Sequence, residues 1–277
     1  MAGMPYDPTV YLGAAPYYVA GRPPYSDELV ATLRREVGLG PGTRLLDVGC
    51  GPGVLTIELA PHVREAVGLD PDAGMLAEAA RRADERGLTN VTWAGAVAED
   101  LPRLGLGTFT LATFGQSFQW TDRERVAEAV YDLLVPGGAV VLLAHTVAGR
   151  PAPDGPDLPR MPHDEVGRLV ERYLGPRRRA GRGFSSSPPD RYEDALARTR
   201  FGTARIAFAP GRADVVRDVD SVVANYFSMS WAAPHLFGAD RPRFEDDLRA
   251  LLHRLSPAGL FWDWPGDTEM VIATRPA

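Results

Sequence analysis

The sequence predicts an α/β protein: a doubly wound, mostly parallel sheet of seven strands with a helical cap. Three observations predict it. Short apolar runs of strand length alternate with stretches of helical period. Glycines cluster at Gly49, Gly51 and Gly53, between one such run and the opening of a helix. The second half carries helical stretches between its late strands, which is material for a cap. With 277 residues and 45% hydrophobic content, the chain can bury one α/β core with an inserted subdomain, and it does not divide into two independent domains.

In chain order, an N-terminal arm with Tyr6, Tyr11, Tyr17, Tyr18 and Tyr25 precedes a helix from Asp27 to Val37. Arg44–Val48 reads as a buried strand and Val54–Ala60 as the start of a helix. Val67–Asp70 is a second strand, Asn90–Ala94 a third and Phe109–Phe114 a fourth. Asp122–Leu134 has helical spacing, with Val126, Ala129, Val130 and Leu133 on one face and Asp122 near the start, where an acid suits the helix dipole. Val135-Pro136-Gly137-Gly138 ends that helix, and Ala139–Ala144 makes a fifth strand. The proline-rich loop from Gly149 to Pro156 cannot continue it. Helical stretches at His163–Tyr173, Asp214–Tyr226 and Arg243–Leu255 are then interleaved with strands at Thr203–Phe208 and Glu269–Thr274. The implied division is an arm and helix at 1–37, a ligand-binding core at 38–148, and late strands with an inserted cap at 149–277.

Asp70 ends the strand that follows the glycine turn, and a carboxylate there can accept hydrogen bonds from both hydroxyls of a ribose. Loop and acid together describe a nucleoside site. A dinucleotide fingerprint requires a third glycine where this chain has Val54. A P-loop requires lysine, and all thirty basic residues here are arginine. The lack of lysine also removes Schiff-base chemistry.

On these residues the chain resembles the class I S-adenosylmethionine-dependent methyltransferases. Asp47-x-Gly49-x-Gly51-x-Gly53 is similar to the family's first motif, Asp70 to its ribose-binding acid, and Leu134-Val135-Pro136-Gly137-Gly138 to a further hallmark. The resemblance spans residues 18 to 145 and implies the Rossmann-like methyltransferase fold. It implies that Gly49 and Gly51 line the methionine moiety of S-adenosylmethionine, with Gly53 and Pro71 counted beside them. By the same resemblance Asp47 supports the amino group, Asp70 holds the ribose, and Ala98 and Glu99 in Ala98-Glu99-Asp100-Leu101-Pro102 lie at the adenine edge. Relatives often carry an aspartate where this chain has Val97, so either Glu99 takes the adenine amino group or backbone and water do; a local turn cap is the competing role for Glu99.

Gly115-Gln116-Ser117-Phe118-Gln119-Trp120-Thr121-Asp122 follows the fourth strand at its carboxyl end, where ligands of open α/β sheets bind. It is similar to a Q-S-F-H-W-F-D segment of small-molecule methyltransferases, with Gln119 in place of the histidine. Gln116 is counted with the cofactor residues. Gln119 is expected to orient the acceptor; it can donate or accept a hydrogen bond but cannot carry a proton as histidine does. His145 follows the fifth strand at the same edge and is the candidate general base. Tyr18-Val19-Ala20-Gly21-Arg22-Pro23-Pro24-Tyr25 is similar to a family entry segment that folds over the cofactor, which makes Tyr18 and Arg22 candidates for touching the cofactor or the acceptor, counted here with the cofactor residues. Trp120, Tyr226 and Trp231 are the expected acceptor-lining residues. No histidine stands at metal-ligand spacing from Cys50 or another histidine, so no metal is expected.

A net charge of −6 offers no broad basic surface, which speaks against a nucleic-acid substrate. No apolar run reaches membrane-spanning length, no charged and apolar leader opens the chain, and a lone cysteine forms no internal disulfide. The expectation is a cytoplasmic enzyme, of unknown oligomeric state, that transfers a methyl group to an oxygen, nitrogen or carbon of a small molecule and leaves S-adenosylhomocysteine. Arginine without lysine, with abundant alanine, glycine and proline, points to a GC-rich genome such as that of an actinobacterium, and so to specialised metabolism. A non-catalytic cofactor-binding partner protein is the competing reading, and a nicotinamide oxidoreductase a third.

Overall fold

The structure is a computed structural model that describes residues 7–147, 153–180, 183–184 and 190–277. Of the features read above, Tyr6 and residues 149–152 lie outside the described residues. Nine strands matter here: β1 (Arg44–Val48), β2 (Glu65–Asp70), β3 (Val91–Gly95), β4 (Phe109–Gly115), β5 (Leu134–Thr146), β6 (Arg205–Ala209), β7 (Val216–Asp218), β8 (Leu260–Trp262) and β9 (Asp267–Thr274). Seven form one sheet in the order β3-β2-β1-β4-β5-β9-β6. β9 runs antiparallel to both its neighbours, and the other pairs are parallel. The order reverses between β1 and β4, which is where such sheets open a crevice for ligands.

The helices are α1 (Ala15–Gly21), α2 (Glu28–Val37), α3 (Val54–Leu59), α4 (Ala73–Glu85), α5 (Arg123–Leu133), α6 (His163–Leu174), α7 (Tyr192–Ala197), α8 (Val219–Phe227) and α9 (Arg241–Leu255). Each central strand is apolar on both faces, as parallel strands between helices must be. Leu46, Val48, Phe114, Val140 and Leu142 pack with Val126 and Val130 of α5 on one face. Leu45, Val141, Leu143 and Ile272 pack with Leu29 and Leu33 of α2 and Leu55 and Leu59 of α3 on the other. A third core lies in the cap, where Phe227, Phe237, Phe244 and Phe261 join residues of α6, α8 and α9.

Several elements depart from the sequence reading. α4 has no counterpart there, although Asp72 caps it by accepting from the amides of Gly74 and Met75. The predicted helix from Asp214 is a short strand followed by a helix: β7 pairs with β8, and Asp218 accepts from Ser221 N at 2.8 Å to start α8 only at Val219. β8 itself is too short to read from periodicity. The fifth strand begins early, at Leu134, and the Val135–Gly138 segment is absorbed as a register shift against β4 rather than ending the helix in a loop.

The arm is not an irregular tail: α1 is docked on the cap helix α8. A Cβ added to Gly21 would lie 2.4 Å from the Ala224 backbone, so the two helices meet with no side chain between them. Arg217, 5% exposed and 3.7 Å from Asp263, donates to the Gly21 carbonyl, and Arg22 donates to the Ser228 carbonyl at 2.8 Å. Alanine is the better helix former by about 1 kcal/mol, yet overpacking costs about 1–3 kcal/mol. Gly21→Ala is therefore expected to lower stability in a urea titration; a variant more stable than the parent would show that this contact is looser than described.

Candidate functional site

The glycine turn follows β1 at the strand-order reversal. Leu69 of β2 holds it by its carbonyl, which accepts from the amides of Gly49 at 2.7 Å and Cys50 at 3.0 Å. Gly49 adopts φ +68 and lies flush on Ser117, whose Cβ is 2.4 Å from where a side chain would begin. Gly51 also has a positive φ, +54, but faces open space, with nothing within 4 Å. One glycine is required by packing and the other leaves room for a ligand to approach the backbone.

Asp70 is 9% exposed. Its Oδ2 accepts from Gly51 N at 2.8 Å and its Oδ1 from Asp72 N at 2.9 Å. Each oxygen keeps a second lone pair, and burial raises the carboxyl above its ordinary range. Asp47, expected at the cofactor's amino group, is 1% exposed and turned inward. The Thr56 hydroxyl donates to its Oδ2 at 2.5 Å and the Thr113 hydroxyl to its Oδ1 at 2.9 Å. It is a strut that joins β1, α3 and β4 below the turn. Burial lifts its pKa to about 6, against the pull of both threonines.

The opposite wall is the segment after β4. Gln116 has φ +59, and among the described residues it is the one non-glycine with a positive φ. Such strain at a strand's carboxyl end marks a site where the surroundings over-determine the backbone. Ser117 Oγ donates to the Val48 carbonyl at 2.5 Å, tying the ends of β1 and β4. Gln119 spends both ends of its amide on protein groups: Nε2 donates to the Gln116 carbonyl at 2.7 Å, and Oε1 accepts from the Tyr192 hydroxyl at 2.5 Å. Glu99 likewise faces α5, where its Oε1 accepts from the Asp122 amide at 2.8 Å, so it caps rather than points free. Ala98 is buried at the start of the turn Ala98–Arg103, and Pro71 is half-buried beside Asp70.

Aromatic residues of the arm close over this end. Tyr11 packs edge-on against Tyr18 at 6.4 Å and Trp120 at 5.9 Å, and it lies within the field of Asp70. Trp120 itself is 41% exposed. Arg22 lies over the Tyr18 ring at 4.9 Å. Tyr25 is hydrogen-bonded to the Gln116 side chain, and its ring centroid is 5.3 Å from that of His145. His145 Nδ1 is buried without a partner; burial first, and then the charge of Arg22, push its pKa down to about 4, so the ring is neutral at physiological pH.

Tyr226 is the clearest displacement from expectation. It is 1% exposed inside the cap core, its hydroxyl 3.4 Å from His163 Nδ1, because α8 is buried from Val222 to Phe227. Trp231 packs edge-on against it at 5.9 Å under the Arg178 guanidinium. Tyr11, Tyr25, Ser117 and Tyr192 belong to the site neighbourhood without having been singled out as site residues from sequence; the arm's tyrosine content was the available signal. A hollow of about 610 Å³ lined by Glu165, Arg168, Glu171 and Arg172 between α6 and α9 contains none of these residues. The strand ends, not that hollow, define the site.

Residues 45–138 match a family described as a methyltransferase domain. The chain is 30% identical over 125 residues to the yeast "Probable S-adenosylmethionine-dependent methyltransferase CRG1", a match covering 44% of this chain and 42% of that one. Against the 2-heptyl-1-hydroxyquinolin-4(1H)-one methyltransferase of Mycobacteroides abscessus it is 32% identical over 171 residues, covering 59% of this chain and 73% of the relative. The chain belongs to the class I S-adenosylmethionine-dependent methyltransferases. Its fold is also that of the YcgJ protein of Bacillus subtilis, at a TM-score of 0.50 and 17% identity over 90% of this chain and 98% of that one.

The residues of this methyltransferase fit its cofactor. Gly51 opens a gap where a side chain would stand, and Asp70 keeps lone pairs at the edge of that gap. Among the described residues there is no group of three or more potential metal ligands, and no helix is long and apolar enough to cross a membrane.

Asp47 gives the site a pH signature. A carboxyl whose pKa is raised by folding favours the native state most when protonated; that contribution is complete below 3.8 and lost as pH rises through about 6. The melting temperature of Asp47→Asn, relative to the parent, should therefore climb from about pH 4 to about pH 7. Parallel melting curves at both values test this, and a pH-independent difference would mean that Asp47 is not held protonated by burial.

Proposed function

We propose that this methyltransferase acts on a small molecule, moving the sulfonium methyl of S-adenosylmethionine to a nucleophilic oxygen, nitrogen or carbon. The observation that carries this is the convergence, at one end of the sheet, of the open glycine turn, Asp70, the strained Gln116 loop and an aromatic arm over them. The bound cofactor supplies an already activated methyl group; the carbon–sulfur pair returns to sulfur as the new bond forms. What remains for the chain is to hold, align and exclude water.

In this reading Asp70, Gly49, Gly51 and Gly53 hold the cofactor, with Ala98, Pro71, Gln116 and Tyr18 about it. Asp47 supports the turn from below. Gln119 is a positioning residue: its amide props the Gln116 carbonyl and reaches Tyr192 of α7. His145 faces the acceptor as a hydrogen-bond partner. Trp120 and Trp231 are proposed to line the acceptor's path, and the arm 1–37 and the cap within 149–277 to enclose the core 38–148.

A net charge of −6 with no broad basic face supports a small acceptor over a nucleic acid. The quinolone-acting relative supports a ring system that bears a hydroxyl. The lone cysteine supports a cytoplasmic setting, and the arginine-only composition supports a role in bacterial specialised metabolism. A non-catalytic binder is disfavoured by relatives that are named as methyltransferases.

Calorimetric titration with S-adenosylmethionine and S-adenosylhomocysteine tests the reading: both should bind with micromolar affinity, and acceptors can then be screened for a methyl mass shift. Absence of binding by either would overturn it. Asp70→Ala should weaken both ligands by about tenfold or more, the loss of charge-assisted hydrogen bonds. Gln119→Ala and His145→Ala should lower kcat by about 10- to 100-fold with cofactor affinity little changed; full activity in either variant would remove that residue from the mechanism.

A further inference from the structure

The described residues include four buried side-chain polar atoms with no partner: Arg22 Nε, Ser26 Oγ, His145 Nδ1 and Arg217 Nε. Arg217 has Asp263 beside it. Arg22 is different. One of its terminal nitrogens donates to the Ser228 carbonyl and its plane rests on Tyr18, but among the described residues it has no carboxylate partner. Its charge reaches Tyr11, Tyr25 and His145. The acids nearest this end are committed: Asp47 to Thr56 and Thr113, Asp70 to the amides of Gly51 and Asp72. A part-buried guanidinium with an unspent N–H and no counter-ion is a costly arrangement that an anion relieves.

We propose that Arg22, with His145 and the Tyr25 hydroxyl, forms an oxyanion clamp for the acceptor, which binds with its reacting hydroxyl ionised. This rests on the methyl-transfer reading above and names its acceptor class: small molecules with an acidic hydroxyl, such as a phenol, an enol or an N-hydroxy heterocycle. The proton leaves to solvent as the acceptor binds. In the transfer itself an oxygen lone pair forms the O–CH3 bond, the carbon–sulfur pair returns to sulfur, and no proton moves. A neutral His145 suits this scheme, because it solvates the anion and is too weak a base to take the proton of an un-ionised hydroxyl. Clamp and cofactor grip are then separate functions: Arg22 on the acceptor, Asp70 on the nucleoside.

The probe is 4-nitrophenol, whose phenolate absorbs visibly, with 4-nitroanisole as its neutral counterpart; each is titrated against the protein with and without S-adenosylhomocysteine. The bound phenol should ionise about one pH unit lower than in water, which is about tenfold preference for the anion. Arg22→Gln should abolish the preference, Arg22→Lys should keep part of it, and His145→Ala should weaken it less than Arg22→Gln; 4-nitroanisole should be indifferent to all three. Should Arg22→Gln unfold, the Lys and His145 variants still decide. An unshifted or raised ionisation, or no binding of the phenolate, overturns the clamp. So does a drop of tenfold or more in S-adenosylhomocysteine affinity of Arg22→Gln without a drop for 5′-methylthioadenosine, since Arg22 would then hold the cofactor's carboxylate. Failure of S-adenosylhomocysteine to bind the parent protein would instead strike the methyl-transfer reading, and the phenolate titration without it would still test the clamp.

Discussion

The hydrogen bond from the Gly51 amide to Asp70 is the constraint on which the site depends. It links the turn after β1 to the end of β2, and the parallel register that sets Val48 beside Leu69 puts donor and acceptor within reach. Around it the geometry is closed on three sides. Leu69 O gathers two amides of the turn, Ser117 fills the space under Gly49, and Asp47 fixes the strand to α3 and β4. The fourth side, in front of Gly51, stays open. Space is left in front of Gly51 because the backbone groups around the turn have found partners and the glycine has nothing to add.

Much of this was legible in the sequence, and unevenly so. The glycine spacing and the alternation of apolar runs gave the sheet and its mostly parallel character, because each depends on local backbone demands. The partners of polar side chains were not legible. Gln119 and Glu99 stand in a segment that faces the site, yet their hydrogen bonds go to Gln116, Tyr192 and the Asp122 amide, choices made by residues distant in the chain. Tyr226 misled for a related reason: from Val222 to Phe227 every residue of the helix is buried, so nothing in its period there says which way an aromatic ring points. β7 and β8, at three residues each, are too short for alternation to register.

The buried acids and bases form a graded set. Asp47 is surrounded by hydroxyls and Asp70 by amides, while His145 has neither a donor nor an acceptor at Nδ1. Desolvation thus acts on all three, but in opposite senses for acid and base: it lifts the carboxyls and lowers the imidazole. At the same end of the sheet stands the Arg22 guanidinium, whose charge is felt by Tyr11, Tyr25 and His145.

α1 has seven residues, too few to hold a helix by itself. It borrows its stability from the cap, against which Gly21 lies flush, and it also touches α4 on the cofactor side. On either side of it in the chain, Tyr11 lies within the field of Asp70 and Tyr25 packs beside His145. The surroundings of Asp70 and of His145 consequently share one wall, so a change that unseated that short helix would bare both together rather than one at a time.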